Sequence, residues 1–422
     1  MNAAELRILF VCVEFPYPAN NGVRLRNSYL LRALVELGHS VTLLSFVQSS
    51  DGISIPADLA SRVSVRNIAR TVSSLSTSND YIRRLIGLLS SDPFSVARFR
   101  SEEMRQTIDQ VLQTQQVDLV ISDTDFTMAN MTAITDVPLL QSHHNAEHVI
   151  LSRYAEREHN PAKSTYASIE ASKMKSWAKK IAPLAGSHIV CSDNDREEFA
   201  KLGIAPIYVV PNIFEASGAM DVSITAEPRT LIFQGGMDWL PNRDAVQFFA
   251  SEILPIISRS YPDVRLIVAG RFGPANFIEE MRKYPQLSFT GTVDDISRYI
   301  RGAEISIVPL RIGSGTRLKI LEAASYGRPI VSTSVGAEGL RFVDGEEILI
   351  ADNPTEFAEA VIRLLDEEPL RIAIGSSARA RVQSDYSMKV FKQALRAAID
   401  RCMQIQGVIE SQPHRKASGI TL

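Results

Sequence analysis

The sequence predicts an α/β protein with two domains, each built on a parallel, doubly wound sheet. The chain has 422 residues, which is too long for one ordinary hydrophobic core and favours two domains. Short apolar runs rich in β-branched residues alternate with amphipathic helical segments, as in parallel sheets joined by crossover helices. This alternation occurs in two series. A polar stretch of small residues at 215–228 separates them, as expected for a linker.

Composition narrows the class of protein. Hydrophobic residues make up 45% and charged residues 22% of the chain, as in globular proteins, and the net charge of −3 gives no indication of nucleic-acid binding. Cys12, Cys191 and Cys402 lie far apart without CxxC spacing, which favours reduced thiols over a zinc site or a disulfide framework. No apolar run approaches the ~20 residues of a membrane span, and the first residues lack a signal-peptide pattern. We therefore expect a cytoplasmic protein.

The first series opens with a βαβ unit. Residues 7–13 (RILFVCV) predict a buried strand, residues 24–37 a helix ended by Gly38, and residues 41–46 the next strand. The loop between the first strand and the helix lies at the carboxyl edge of the sheet, where ligands bind in such folds. Its turn, with Gly22 and Arg24, is therefore a candidate substrate loop, and a plain connecting turn is the alternative.

Further strands are predicted in both series, together with the helices between them. A helix ending near Ser91 is also predicted, and Ser192 is expected to cap the helix that runs through residue 202. The predicted strands of the first series are 118–122, 138–141, 187–191 and 207–210, with helices at 106–116 and 150–182. Those of the second series are 230–234, 264–269, 287–291, 305–310, 348–351 and a strand from Ile330, with helices at 294–301, 355–365 and 369–384.

These segments give predicted domain limits. The first domain spans 1–212 and the second 213–387. A helix at 388–404 is expected to return to the first domain, and the tail at 405–422 is expected to be flexible.

The most informative segment is 305–331, ISIVPLRIGSGTRLKILEAASYGRPIV. It predicts a strand, a glycine turn, a helix ended by Gly327 and Pro329, and another strand. Glycines allow backbone to approach a ligand closely, and a helix N-terminus beside two cations suits a phosphate or diphosphate. An ordinary βαβ unit with a polar helix start is the alternative. The candidate ligand-binding residues of the segment are Gly313, Ser314, Gly315, Thr316, Arg317, Lys319 and Glu322.

Two histidines form a second candidate site. His143 and His144 follow a predicted strand, and adjacent side chains on a strand point to opposite faces. At most one is therefore expected to face a substrate. His144 is favoured because it begins the loop HNAE, and His143 is then a hydrogen-bonded structural residue.

Several motifs together resemble those of retaining family-four glycosyltransferases, often called group one, which have the GT-B fold of two facing Rossmann-like domains. The resemblance covers nearly all of residues 7–400. The motifs, in order, are PYPANNGVRLRNSYLLRALVELGHSVTLLS, HHNAE, VCSDNDREEF, VVPN, FTGTVDDISRYIRGAEISIVPL and LEAASYGRPIVSTSVGAEGL.

The resemblance implies a cleft between the domains, with a nucleoside diphosphate sugar on the second domain and the acceptor on the first. It implies that Glu322 binds the donor ribose, that nearby cations hold the diphosphate, and that His144 faces the donor sugar. His144, Arg317 and Lys319 are the expected catalytic residues. Besides Gly22 and the residues of segment 305–331, the expected donor-binding residues are Gly235, Gly236, Arg271 and Val293.

The chain departs from the family pattern at two places. Ser314 stands where the family commonly has a Glu seven residues before the second Glu. The loop GGMDWLPNRDAV has Arg243 as its only base where the family usually has an Arg and a Lys. We infer that Arg317 and Lys319 provide the positive charge instead.

Two further motifs allow alternative interpretations. Asp123-Thr124-Asp125 matches the DxD pattern of metal-dependent transferases, but helix capping is favoured over metal binding. Lysines around Trp177 fit either a surface for anionic lipid heads or, as favoured, a solvated helix face; the former would allow a peripheral membrane contact at the inner face. These lysines are Lys173, Lys175, Lys179 and Lys180.

The expected function is therefore transfer of a hexose-type sugar, with retention, from a nucleoside diphosphate sugar to a saccharide or lipid-linked hydroxyl. No metal and no further cofactor is expected, and no nucleic acid. The alternatives are a nucleotide-sugar epimerase of the same fold and a non-catalytic binding protein of nucleotide sugars or polysaccharide assembly.

Overall fold

The chain forms two compact units, one of which is discontinuous in sequence. The computed structural model describes residues 5–47, 53–69, 87–131, 137–216, 224–313 and 315–410, with side chains described up to residue 404. Unit 1 comprises residues 1–211 and 388–422, and unit 2 comprises residues 212–387.

Unit 1 is a parallel sheet covered by helices. Within the described residues the sheet has seven strands in the order β3-β2-β1-β4-β5-β6-β7, all paired in parallel. The strands are β1 Arg7–Cys12, β2 Ser40–Val47, β3 Val63–Ala69, β4 Leu119–Ser122, β5 Leu139–Ser142, β6 Ser187–Val190 and β7 Ile207–Val209. The helices are α1 Gly22–Glu36, α2 Phe94–Ala97, α3 Glu102–Thr114, α4 Glu147–Arg157, α5 Pro161–Ile181 and α6 Asp193–Ala200, with 3₁₀ turns at Thr127–Asn130 and Ala182–Leu184.

Unit 2 repeats this architecture with six strands in the described part of the chain, again all parallel, in the order β10-β9-β8-β11-β12-β13. The strands are β8 Thr230–Gln234, β9 Arg265–Ala269, β10 Leu287–Phe289, β11 Ile305–Val308, β12 Ile330–Ser332 and β13 Leu349–Ile350. The helices are α7 Leu240–Phe248, α8 Leu254–Ser260, α9 Ala275–Met281, α10 Ser297–Gly302, α11 Leu318–Ser325, α12 Ser334–Ala337, α13 Pro354–Asp366 and α14 Glu368–Asp385, with a π-helical turn at Phe249–Ile253.

The last helix, α15 (Met388–Glu410), belongs to unit 1. It places Phe391, Leu395 and Cys402 in the interior, each fully buried. The Ser187 hydroxyl donates a hydrogen bond of 3.2 Å to the carbonyl of Ala398, which fastens the helix to β6. The helix extends beyond the predicted end at residue 404, and the predicted tail after Glu410 lies outside the described residues.

The predicted α/β class with two Rossmann-like domains is confirmed, and several predicted element limits are corrected. β11 ends at Val308 instead of Leu310, because Pro309 has no N–H to continue the ladder. The helix predicted at 294–301 begins at Ser297, after the Asp295 carboxylate accepts the Ser297 N–H at 2.9 Å. Most of the helix predicted to end near Ser91 lies outside the described residues.

The basic helix α5 fits the favoured, solvated interpretation. Trp177 and Ile181 are buried in the core of unit 1, while Lys175, Lys179 and Lys180 are exposed. In the described part of the chain, no helix has both the length and the apolar character needed to cross a membrane.

Candidate functional site

The strand order of unit 2 brings two glycine turns together. β8 and β11 are hydrogen-bonded neighbours. After β8 the chain continues to β9, toward one edge of the sheet, and after β11 it continues to β12, toward the other edge. Such a switch point opens a crevice at the carboxyl ends of the two strands. The turn at Gly235-Gly236 follows β8, and the turn at Gly313 follows β11.

The turn after β8 requires glycine. Gly235 has φ +149°, and a Cβ there would lie 2.6 Å from Asn242 Nδ2 and 3.2 Å from Lys319 Nζ. Gly270, after β9, also has φ +149° and packs so closely that a Cβ would collide with the Gly235 carbonyl. Without side chains at these two positions, the backbone of the turn can come into close contact with a ligand.

The turn after β11 is tight as well. Gly313 has φ +152° and Gly315 has φ +74°. A Cβ on Gly313 would collide with the Arg317 guanidinium, so that guanidinium lies directly against the turn. The Thr316 hydroxyl accepts a hydrogen bond of 2.6 Å from Asn212 Nδ2. Ser314, which stands in place of the expected Glu, lies outside the described residues.

Arg317 occupies the N-cap position of α11. It is 9% exposed, and its guanidinium donates to the carbonyls of Gly315 at 2.7 Å and Val335 at 3.3 Å. Among the described residues, no side-chain hydrogen bond caps the N-terminus of α11. This helix start therefore combines a buried cation with backbone N–H groups suited to an anion.

Lys319 is the second residue of α11, and its amine lies beside the turn after β8. Its Nζ donates to Asn242 Oδ1 at 2.9 Å and sits 3.8 Å from the centre of the Phe233 ring. Burial, with a smaller contribution from Arg317, holds the pKa of Lys319 well below its usual value, and Glu322 opposes this shift. An anion bound beside this amine would therefore stabilise its protonated form.

Glu322 follows on the same helix face as Lys319. Burial, reinforced by Asp295, raises the pKa of Glu322 to about 7, while Lys319 lowers it. Among the contacts of the described residues, Lys319 is paired with Asn242 and not with Glu322. A carboxyl group near its titration point can both accept and donate hydrogen bonds, which suits hydroxyl groups.

The other predicted donor-binding residues lie in neighbouring loops. Arg271, after β9, is about half exposed and pairs with Asp238 at 2.9 Å. Val293 lies in the loop after β10 and is partly exposed. Arg243 donates to the carbonyls of Met237 and Asp238 at 2.8 and 3.0 Å, so it stabilises the turn after β8.

In unit 1, the predicted helix-capping role of Asp123 and Asp125 is wrong. Asp123 is fully buried and accepts the Val13 N–H at 3.0 Å and Asn27 Nδ2 at 2.8 Å, which joins the loop after β1 to α1. Burial raises the pKa of Asp123 to about 7. Among the described residues, no three His, Cys, Asp or Glu side chains are placed to hold a metal ion.

Asp125 instead lies against His143. Asp125 Oδ1 lies 2.7 Å from His143 Nδ1, and His143 Nε2 lies 3.1 Å from His188 Nδ1. His143 is 2% exposed, so its side chain lies in the interior of unit 1. Burial lowers the pKa of His188 to about 3, which keeps this imidazole neutral.

His144 is partly exposed, in contrast to His143. Burial of its ring, followed by the charge of Arg26, holds the pKa of His144 well below its usual value, so it is a neutral imidazole. A small cavity at the carboxyl ends of β4 and β5 is lined by both histidines and by Glu147. Glu147, whose Oε1 accepts Asn145 Nδ2 at 3.2 Å, has its pKa raised to about 7 by burial.

The predicted substrate loop around Gly22 is internally bonded. Gly22 is the first residue of α1, and the Asn21 side chain caps the helix by accepting the Arg24 N–H at 2.9 Å. Arg24 is largely buried and pairs with Glu14 at 2.9 Å. The loop is therefore held in shape by its own polar side chains.

Comparisons with known proteins agree with this architecture. A family model described as "Glycosyltransferase Family 4" matches residues 20–217, and one described as "Glycosyl transferases group 1" matches residues 228–367. An uncharacterised 44.6 kDa protein from the cps region of Klebsiella pneumoniae is 23% identical over 91% of this chain and 98% of its own. A glycogen synthase of Mycobacterium tuberculosis is 24% identical over 92% of this chain and 93% of its own.

Solved structures show the same fold. Sucrose-phosphate synthase from Thermosynechococcus elongatus superposes with a TM-score of 0.69 at 16% identity, covering 95% of this chain and 100% of that one. The two Rossmann-like units thus have the GT-B fold. Because the two family models together span most of the sequence, the chain belongs to the group 1, family-four type of glycosyltransferases.

Proposed function

We propose that this glycosyltransferase moves a hexose-type sugar, with retention of anomeric configuration, from a nucleoside diphosphate sugar to a hydroxyl of a saccharide or lipid-linked acceptor. The observation that carries the donor assignment is the convergence of two glycine turns, the α11 N-terminus, Arg317 and Lys319 at one switch point. Phosphate groups are recognised by this combination of close backbone, helix N–H groups and paired cations.

Each residue then has a defined role. The diphosphate lies against the Gly235 and Gly313 turns and is held by Arg317 and Lys319. The ribose hydroxyls bind Glu322. Negative charge grows on the diphosphate as the glycosidic bond breaks, so cations already in place stabilise the transition state more than the bound donor.

The acceptor proton goes to the departing diphosphate in a front-face displacement. The acceptor oxygen forms its bond to the anomeric carbon on the side from which the diphosphate leaves, so the configuration is retained. His144, neutral in the free chain, orients the sugar and does not remove the proton. Neither a metal ion nor an organic cofactor is needed for this chemistry.

The decisive test of the donor site is a thermal-shift and calorimetric screen with UDP, GDP, ADP, CDP and dTDP. Lys319→Met keeps the aliphatic stem against Phe233 but removes the charge. We expect it to weaken the best diphosphate about 10- to 100-fold, because a charged hydrogen bond contributes roughly 1.5–3 kcal/mol. Lys283→Ala is the matched control, since Lys283 is exposed and pairs with Glu280.

Equal affinities of Lys319→Met and the unmodified chain would contradict the donor site. Slow hydrolysis of the matching sugar nucleotide, seen as free nucleoside diphosphate, would separate an enzyme from a binding protein. The anomeric configuration of the transferred sugar, read by NMR against that of the donor, tests retention. Full activity in excess EDTA is expected of a metal-independent reaction.

A further inference from the structure

The side chain of Asn242 lies between the glycine turn after β8 and the amine of Lys319. Its Oδ1 accepts the Lys319 Nζ at 2.9 Å, and its Nδ2 donates to the Gly236 carbonyl at 2.9 Å. Asn242 is 8% exposed. One amide thereby links residues of α7, α11 and the turn, which are far apart in sequence.

The amide has little freedom to move. Asn242 lies in the first turn of α7, and its own N–H donates to the Trp239 carbonyl at 3.1 Å. The space on the other side of the amide is taken by Gly235, where an added Cβ would approach Nδ2 to 2.6 Å. The amine of Lys319 also lies over the ring face of Phe233 in a cation–π contact.

Only a neutral amide performs both tasks at this position. An ammonium group needs an acceptor, and the Gly236 carbonyl needs a donor. A carboxylate of the same shape would accept from Lys319 but would leave the carbonyl without its donor. It would also neutralise the lysine charge that an anionic ligand requires.

We propose that Asn242 is a positioning residue for the donor diphosphate: its amide aims the Lys319 ammonium beside the Gly235-Gly236 turn without neutralising it. This inference rests on the proposed donor site. Among the contacts of the described residues, the ammonium uses one N–H for Asn242, which leaves two N–H groups for phosphate oxygens. The same amide fixes the turn whose backbone the diphosphate approaches, so both halves of the site are set by one side chain.

The test is Asn242→Asp, which keeps the shape and exchanges the amide for a carboxylate. We expect the affinity for the best nucleoside diphosphate of the screen to fall at least about tenfold. We also expect the pKa of Lys319, followed by NMR of chain labelled with ¹³C at lysine Cε, to rise by about one unit or more. Asn353→Asp is the control, because Asn353 is the exposed N-cap of α13 and accepts the Glu356 N–H.

Asn242→Ala is the second variant. It removes the amide without adding charge, so we expect weaker diphosphate binding, and any rise in the Lys319 pKa is expected to be smaller than in Asn242→Asp. A merely structural role for Asn242 would lower the melting temperature of both variants and leave the Lys319 titration of the folded protein unchanged.

The outcomes separate this inference from the proposed function. If Asn242→Asp binds the diphosphate as tightly as the unmodified chain, the inference is wrong and the donor site stands. An unmodified chain that binds none of the five diphosphates would overturn the donor site and this inference with it. An unchanged Lys319 titration in folded Asn242→Asp would overturn the positioning role without reference to any ligand.

Discussion

Burial of the Asp123 carboxyl group makes the stability of unit 1 depend on pH. It is fully buried below the loop after β1, and burial raises its pKa to about 7 from an ordinary 3.8. Between about pH 4 and pH 7 the folded chain therefore holds a proton that the unfolded chain has released. A raised acid pKa means that the free energy of unfolding falls as the pH increases through this range.

Asp123→Asn should remove this pH dependence. The variant keeps the side-chain shape and cannot ionise, so its stability relative to the unmodified chain should increase from pH 4 to pH 7. The relative gain is at most about 4 kcal/mol, at 1.36 kcal/mol for each pKa unit. Urea unfolding at several pH values measures it.

Asp118→Asn is the control, because it should change the pH dependence of stability in the opposite direction. Asp118 is paired with Arg7, whose hydrogen bond lowers the pKa of Asp118. Its contribution to stability is present at neutral pH and is lost as the pH falls through its titration range. A pH dependence of stability unchanged by Asp123→Asn would show that Asp123 is not protonated in the folded chain.

At the residue scale, the sequence reveals a site residue only when its neighbours in the chain form a pattern. Glycines, cations and Glu322 follow one strand within a single segment, so their placement near one helix start was predictable. Asn242 and Asp125 carry no such signal, because their partners Lys319 and His143 come from other segments. The switch-point order of the strands is what could have directed attention to Asn242, since it starts the helix after β8.

At the element scale, the turn after β8 depends on a backbone conformation that L-residues rarely adopt. Gly235→Ala would impose φ +149° on alanine and press its Cβ against Asn242 and Lys319. We expect the free energy of unfolding of unit 2 to fall by about 1–3 kcal/mol. Diphosphate affinity should fall as well, because Asn242 and Lys319 must move. Chemical unfolding and calorimetry provide the two measurements.

Gly302→Ala is the matched control for Gly235→Ala. Gly302 ends α10, and a Cβ there would meet no heavy atom within 4 Å. Stability should therefore be unchanged or rise by about 0.4–1 kcal/mol. A Gly235→Ala variant as stable as Gly302→Ala would mean that the turn after β8 tolerates a side chain.

Element types were more predictable than element ends. The apolar runs of β1 and β8 are buried along nearly their whole length, so hydrophobic pattern alone located them. Short helices such as α9 and α12 escaped prediction because seven or four residues give too few turns for a periodic pattern. The end of β11 is set by Pro309, a local rule that outweighs the continued apolar run.

At the scale of the whole molecule, the two units differ in how the chain builds them. Unit 2 is one continuous stretch with its own core and its own glycine turns. Unit 1 needs α15, whose Phe391 and Leu395 are fully buried although they follow the whole of unit 2 in sequence. A chain that stops before Met388 therefore exposes apolar surface of unit 1 but leaves unit 2 intact.

A fragment of residues 212–387 should therefore fold and bind the diphosphate of the proposed donor site, since all residues assigned to that site after β8 and β11 lie within it. A folded fragment 212–387 without diphosphate affinity would show that unit 2 does not bind the donor by itself.

A fragment of residues 1–211 should fail to fold cooperatively, because it lacks the helix that covers β5 and β6. Adding a peptide of residues 388–410 in trans should restore structure, measured by circular dichroism and amide exchange, whereas the same peptide with Leu395→Asp should not. Cooperative unfolding of fragment 1–211 alone would contradict the requirement for α15.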